Sequence, residues 1–206
     1  MIAFPVDAAT LLAFVPATLA LILTPGADMM FALAQGLRGG GRAGVAAAAG
    51  VATGGMITVT LAGLGLGAVV AAFPGAFGAI RWIGAAYLLW LAWKTLRTPL
   101  TGVPGGGAAS RKAFRDGMIV NLSNPAVILF VLAYIPQFVD PSRAILPQFL
   151  VLGGMIAIGG FLVKSAVGIG AGRLSVLLTT APALERGLRW ASASIFGFLA
   201  LRVARP

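Results

Sequence analysis

Two long apolar stretches of this chain are each interrupted by a proline motif. The first interruption is Thr24-Pro25-Gly26-Ala27-Asp28 and the second is Asn121-Leu122-Ser123-Asn124-Pro125, roughly half a chain apart. Proline inside a helix removes a backbone donor and disturbs the turn before it. In a membrane the freed backbone groups cannot face lipid and must meet protein or a wet cavity. Paired interruptions at matching places in two halves are the sequence pattern of a transporter's binding site.

Composition supports the membrane reading. Of 206 residues, 59% are hydrophobic and only 10% are charged, with a mean hydropathy of +0.99. A soluble domain carries about 25% charged residues. The chain has no Cys and no His, which excludes disulfides, thiol nucleophiles, imidazole bases and zinc sites of the usual kind. No phosphate loop or dinucleotide fingerprint is present, so no cofactor is expected. The net charge of +10 is assigned to basic loops of a membrane protein and not to nucleic-acid binding. Met1–Asp7 contains no basic residue, unlike a cleaved signal peptide.

About 20 apolar residues cross a bilayer. Six candidate spans follow: 9–34, 43–71, 76–96, 115–138, 146–171 and 188–204. Residues 174–184, which include Pro182, are read as an interfacial helix or an extension of span five. The stretch 97–114, with Pro99, Pro104 and Gly105-Gly106-Gly107, reads as a flexible linker. The expected fold is therefore an all-α membrane protein of about six transmembrane helices, a single domain over 1–206. Its halves, 1–96 and 115–206, each hold three spans. An odd number reverses the second half in the membrane, so related halves would be inverted repeats, with helices one and four broken. Ten of the fifteen basic residues fall between spans one and two, three and four, or five and six, or at the facing ends of those spans. That places those connections, including the linker, in the cytoplasm.

Asp28 is the acidic residue set deepest in a span, and intramembrane charges are functional candidates. It also suits the first turn of the half-helix after the break, where unpaired N–H groups carry partial positive charge. Lys164 is the second intramembrane charge. It is expected at about the depth of Asp28, free to pair with it, to contact substrate or to snorkel outward. Asn121, Ser123 and Asn124 can satisfy backbone freed by Pro125 or bind a polar ligand. Tyr134, Pro136 and Gln137 read as interface anchors, and Trp82, Tyr87, Trp90 and Trp93 as an interface belt or packing face. The pairs Gly36/Gly40, Gly50/Gly54, Gly63/Gly67 and Gly168/Gly172 have the spacing that lets membrane helices pack closely. They also allow a homodimer.

The chain resembles the LysE/RhtB group of bacterial amino-acid exporters. Three segments carry the resemblance: Thr24-Pro25-Gly26-Ala27-Asp28 with Gly36, Gly44, Gly50 and Gly54; Ile83-Gly84-Ala85-Ala86-Tyr87-Leu88 through Trp93-Lys94; and Phe114-Arg115-Asp116-Gly117, Asn121-Leu122-Ser123-Asn124-Pro125 and Pro136-Gln137-Phe138. It implies a multi-pass protein of the bacterial inner membrane that exports amino acids or related small metabolites on the proton gradient. Asp28 would then serve substrate or proton, with Pro25, Gly26, Asn121, Asn124 and Pro125 forming the site. Ala27 stands where the family usually has a second Pro. Ala126 stands where members often have Lys, a role Lys164 could take.

Three other readings are weaker. An ion or metal exporter would need more oxygen ligands than one buried Asp supplies. An intramembrane enzyme would need an acid–base pair beside Asp28. A structural subunit packing through its glycines would need no charge at depth.

Overall fold

The computed structural model describes residues 5–23, 26–66, 82, 85–86, 89–90, 92–97, 107–178 and 182–204. Among the described residues the regular elements are all helical. They are α1 (Ala8–Leu23), α2 (Ala27–Leu61), a π turn (Ala62–Leu66), α3 (Gly107–Leu122), α4 (Pro125–Ala133), a 3-10 turn (Ile135–Phe138), α5 (Ile145–Leu178) and α6 (Pro182–Ala204). A short helical stretch also covers 92–97. Most of the third expected span lies outside the described residues, as do Tyr87 and the first part of the linker.

The side chains are distributed as a membrane protein requires. The most apolar stretch of α5 is only 28% buried, whereas the apolar core helix of a soluble protein would be mostly covered. Leu19, Leu23, Ile158, Leu162, Trp82, Trp190 and Phe198 are all exposed. α5 is long and apolar enough to cross a bilayer.

The first two expected spans do not end and begin as the sequence suggested. No loop separates them over 35–42. Helix α2 runs through that stretch and breaks at one residue, Gly40, whose φ of 75° lies where a side chain is disfavoured. The break is sharp. Over the eight residues from Gly36 to Gly44 a straight helix would rise about 12 Å. Yet a Cβ on Gly36 would lie 3.0 Å from the Gly168 carbonyl carbon, and one on Gly44 would lie 2.6 Å from Gly168 Cα. Both positions reach one residue because α2 folds back at Gly40 into two limbs, 27–39 and 41–61. Gly172 sits at the turn, against Gly40 and Gly41.

Glycine also sets the neighbouring contacts. Gly50 faces Phe114 and Met118 of α3, Gly54 faces Met118 and Asn121, and Gly117 faces Ala47. Further along, Gly153 of α5 meets Val59, and Gly63 meets Leu146 and Phe149. Three of the glycine pairs read from the sequence, Gly36/Gly40, Gly50/Gly54 and Gly168/Gly172, therefore lie at interfaces within the chain. They bring helix backbones close enough for dispersion contacts that a Cβ would block.

Other sequence expectations need correction. The linker is helical from Gly107 onward, because Ala108, Ala109 and Ala113 follow the last glycine and Ala113 packs into the α2 core at 1% exposure. Residues 174–178 extend α5, as one of the two sequence alternatives had it, while Pro182 opens α6, a first-turn position where its missing N–H costs nothing. Tyr134 is a packing residue rather than an anchor. Its ring stacks on Phe14 at 5.4 Å and lies 4.6 Å from Phe130 and 4.9 Å from Phe138. Gln148, only 1% exposed, bonds both the N–H and the C=O of Asp140, so it fastens the 139–144 loop to α5.

Substitution at the glycine crossing should be costly. Gly168→Ala is expected to lower the unfolding free energy of the detergent-purified protein by about 1–3 kcal/mol, since its methyl would meet Gly44 Cα at 2.7 Å. Gly154→Ala, where a Cβ meets nothing within 4 Å, should stay within about 0.5 kcal/mol of the parent. Equal melting curves for the two variants would contradict the glycine-packed hairpin.

Candidate functional site

Both helix breaks deliver polar groups to one point. After the first break, Gly26 is the residue preceding α2, and its C=O accepts the Met30 N–H at 3.0 Å. Its φ of −138° is extended backbone open to any residue, and a Cβ there would meet nothing within 4 Å among the described residues. Asp28 follows in the first turn of α2 and is 7% exposed.

The second break has a simple local cause. Asn124 precedes α4, and its C=O accepts the N–H groups of Val127 at 3.1 Å and Ile128 at 3.2 Å. Pro125 occupies the first helical position, where its fixed φ fits and no donor is lost. Asn121, at the end of α3, is 3% exposed.

The two breaks are joined by hydrogen bonds. Asn121 Nδ2 donates to Asp28 Oδ2 at 2.7 Å, and Asn124 Nδ2 donates to Asp28 Oδ1 at 3.2 Å. A hydrogen bond to a charged group contributes about 1.5–3 kcal/mol, and two of them replace part of the hydration that a buried carboxylate loses. Asn121 lies between the limbs of α2: it reaches Asp28 on one limb, and its Oδ1 would be 3.2 Å from a Cβ on Gly54 of the other. That Oδ1 is buried and has no hydrogen-bond partner among the described residues. The site thus offers a carboxylate and an adjacent free acceptor, both suited to a cation that donates hydrogen bonds.

The sequence placed Asp28 about 9 Å inside a helix end at Ala34. With the limb continuing to the turn at Gly40, the depth becomes twelve residues, or about 18 Å.

Lys164 behaves differently from two of the expectations. No ion pair joins it to Asp28 among the described residues. Nor does it extend toward the C-terminal end of α5. Its Nζ lies over Gly160, 3.0 Å from where a Cβ would stand, one turn back along the helix, as helical side chains normally lean. Gly160 is eight residues before Gly168, and Asp28 is eight before Gly36, the contact of Gly168. The ammonium therefore sits within about a turn of the level of Asp28, a 5.4 Å rise. Pro25 lies outside the described residues.

Two buried hydroxyls were not singled out by sequence. Thr53, Thr58 and Thr60 each bond the carbonyl one turn back, the usual use of Thr in a membrane helix. Thr18 Oγ1 and Ser165 Oγ are buried without a partner among the described residues. Nothing in their local sequence distinguishes them from the self-satisfied threonines.

The chain matches the LysE type translocators over residues 19–206. It is 40% identical over 146 residues to a Vibrio cholerae protein described as an uncharacterized membrane protein, covering 69% of this chain and 71% of that one. It is 35% identical over 136 residues to the homoserine/homoserine lactone efflux protein of Salmonella typhimurium, covering 65% and 66%. To the leucine efflux protein of an Enterobacter species it is 31% identical over 150 residues, covering 70% and 71%. No solved structure matches. The matched segment includes Asp28, Asn121 and Asn124, and the chain belongs to the LysE type translocator family of membrane proteins.

Proposed function

We propose that this protein is a secondary transporter that exports a neutral or basic amino acid, or a close derivative, across the bacterial inner membrane on the proton gradient. The observation that carries the reading is the Asp28 cluster: a buried carboxylate held by amides from the opposite helix break, with a half-buried lysine ammonium near its level. The substrate ammonium would bind Asp28 and the free Oδ1 of Asn121. Its carboxylate would bind Lys164, aided by the N-terminal end of α2 after Gly26. The names of relatives, homoserine and leucine efflux proteins, favour a neutral side chain. Six spans, inverted halves and a cytoplasmic location for the Gly40 turn complete the proposal. The basic residues Arg38, Arg42, Arg111 and Lys112 near that turn and the start of α3 support the orientation.

An ion exporter is less well supported. Asn121 and Asn124 turn N–H groups toward Asp28, which suits hydrogen bonding more than ligation of a hard cation.

Gradient-driven efflux from proteoliposomes tests the proposal. Wild type should show saturable efflux of some members of an amino-acid panel, and Asp28→Asn should lose it. Residual flux at high substrate in that variant would mark Asp28 as an ammonium anchor; complete loss would mark a proton carrier. No movement of any amino acid by folded wild type would sink the reading.

Lys164→Met should raise KM for the amino acid about 10–100-fold, the equivalent of one charge-assisted hydrogen bond. The same variant should leave KM for the matching amino-acid amide, which has no carboxylate, nearly unchanged. A parallel rise for both compounds would show that Lys164 does not read the carboxylate.

A further inference from the structure

Arg38 lies two residues before the Gly40 turn, and by sequence it is one more basic loop residue. In the structure its Nε and Nη2 are buried, and neither has a hydrogen-bond partner among the described residues. These two nitrogens form one edge of the guanidinium plane. That edge makes two parallel N–H bonds to a pair of oxygens on a carboxylate or phosphate. Buried donors of a charged group are nearly always paired, because leaving them bare forfeits their hydration.

The surroundings share the same deficit. The charges of Lys112, Arg38 and Asp116 all act on Lys94. It also lies 4.5 Å from the centre of the Trp90 ring. Asp116 is 4% exposed, and its Oδ1 already accepts from Arg115 Nη2 at 3.2 Å. Lys94 therefore faces two further cations, Arg38 and Lys112, and one carboxylate that Arg115 already engages. Like charges in contact repel, and an anion with several oxygens relieves that repulsion while filling the Arg38 edge.

We propose that Arg38, Lys94 and Lys112 form a binding site for a phosphate group, carried either by an anionic lipid headgroup or by a free phosphate. A phosphate suits three cations better than a carboxylate does, because it offers more oxygens and more charge. The site joins α2 near its turn, the 92–97 helix and α3. Arg38 is ten residues from Asp28, about 15 Å along the limb, so the site is separate from the transport site and does not rest on it. Bound phosphate would fasten the Gly40 turn to α3.

Thermal unfolding of the full chain tests this in two arms. One titrates inorganic phosphate at constant ionic strength in an uncharged detergent. The other compares nanodiscs of phosphatidylglycerol with nanodiscs of phosphatidylcholine. We expect Tm to rise by about 3 °C or more in at least one arm. Arg38→Lys, which keeps the charge but loses the two-pronged edge, should abolish most of the rise. Lys112→Gln, an exposed position, should reduce it and serves if Arg38→Lys does not fold. Arg42→Gln, also exposed on the same turn, should keep it. A rise with inorganic phosphate identifies the free anion; a rise confined to phosphatidylglycerol identifies the headgroup. No rise in either arm, or a full rise retained by both site variants, overturns the proposal.

Discussion

A carboxylate placed deep in a membrane protein must be solvated by the protein itself, and the contacts of Asp28 follow from that constraint. Amides from Asn121 and Asn124 supply the solvation. They can do so only because the second helix stops at Ser123-Asn124 and restarts at Pro125, which exposes polar residues at that level. The first helix likewise restarts at Ala27, so Asp28 sits in a first turn with its carboxylate facing the other break. Each interruption, unfavourable alone, supplies what the other lacks.

Close backbone approach makes this meeting geometrically feasible. Asn121 reaches Asp28 across the neighbouring limb of α2, and Gly54 leaves room for it. The limbs lie side by side because Gly40 turns the helix and Gly168 fits between Gly36 and Gly44. A side chain at Gly36, Gly44, Gly54 or Gly168 would press on the neighbouring helix, and one at Gly40 would be strained by its positive φ. The glycine pattern and the polar cluster are parts of one arrangement.

Much of this was legible in the sequence, for identifiable reasons. Proline and asparagine act locally, so Asn124-Pro125 marks the start of α4 without knowledge of the fold. A charge in an apolar run is conspicuous, so Asp28 and Lys164 were visible. The spaced glycines announced close packing but not their partners, which depend on tertiary contacts. The Gly40 turn was hidden because Gly39-Gly40-Gly41 reads as a loop, whereas α2 keeps helical geometry on both sides of a single residue. The buried edge of Arg38 and the hydroxyls of Thr18 and Ser165, unpartnered among the described residues, left no trace in composition or spacing. Whether a polar atom finds a partner is decided by neighbours distant in the chain.

The central claim is that Asp28 contacts the transported molecule. Difference infrared spectroscopy of the reconstituted protein tests it most directly, because the chain has only five acidic residues and few carboxylate bands. An amino acid labelled with carbon-13 at its carboxyl would keep its own band apart. On addition of a transported substrate the account predicts a shift in one protein carboxyl band that is absent in Asp28→Asn. Saturating substrate with no such shift, or a shift that persists in Asp28→Asn, would contradict it.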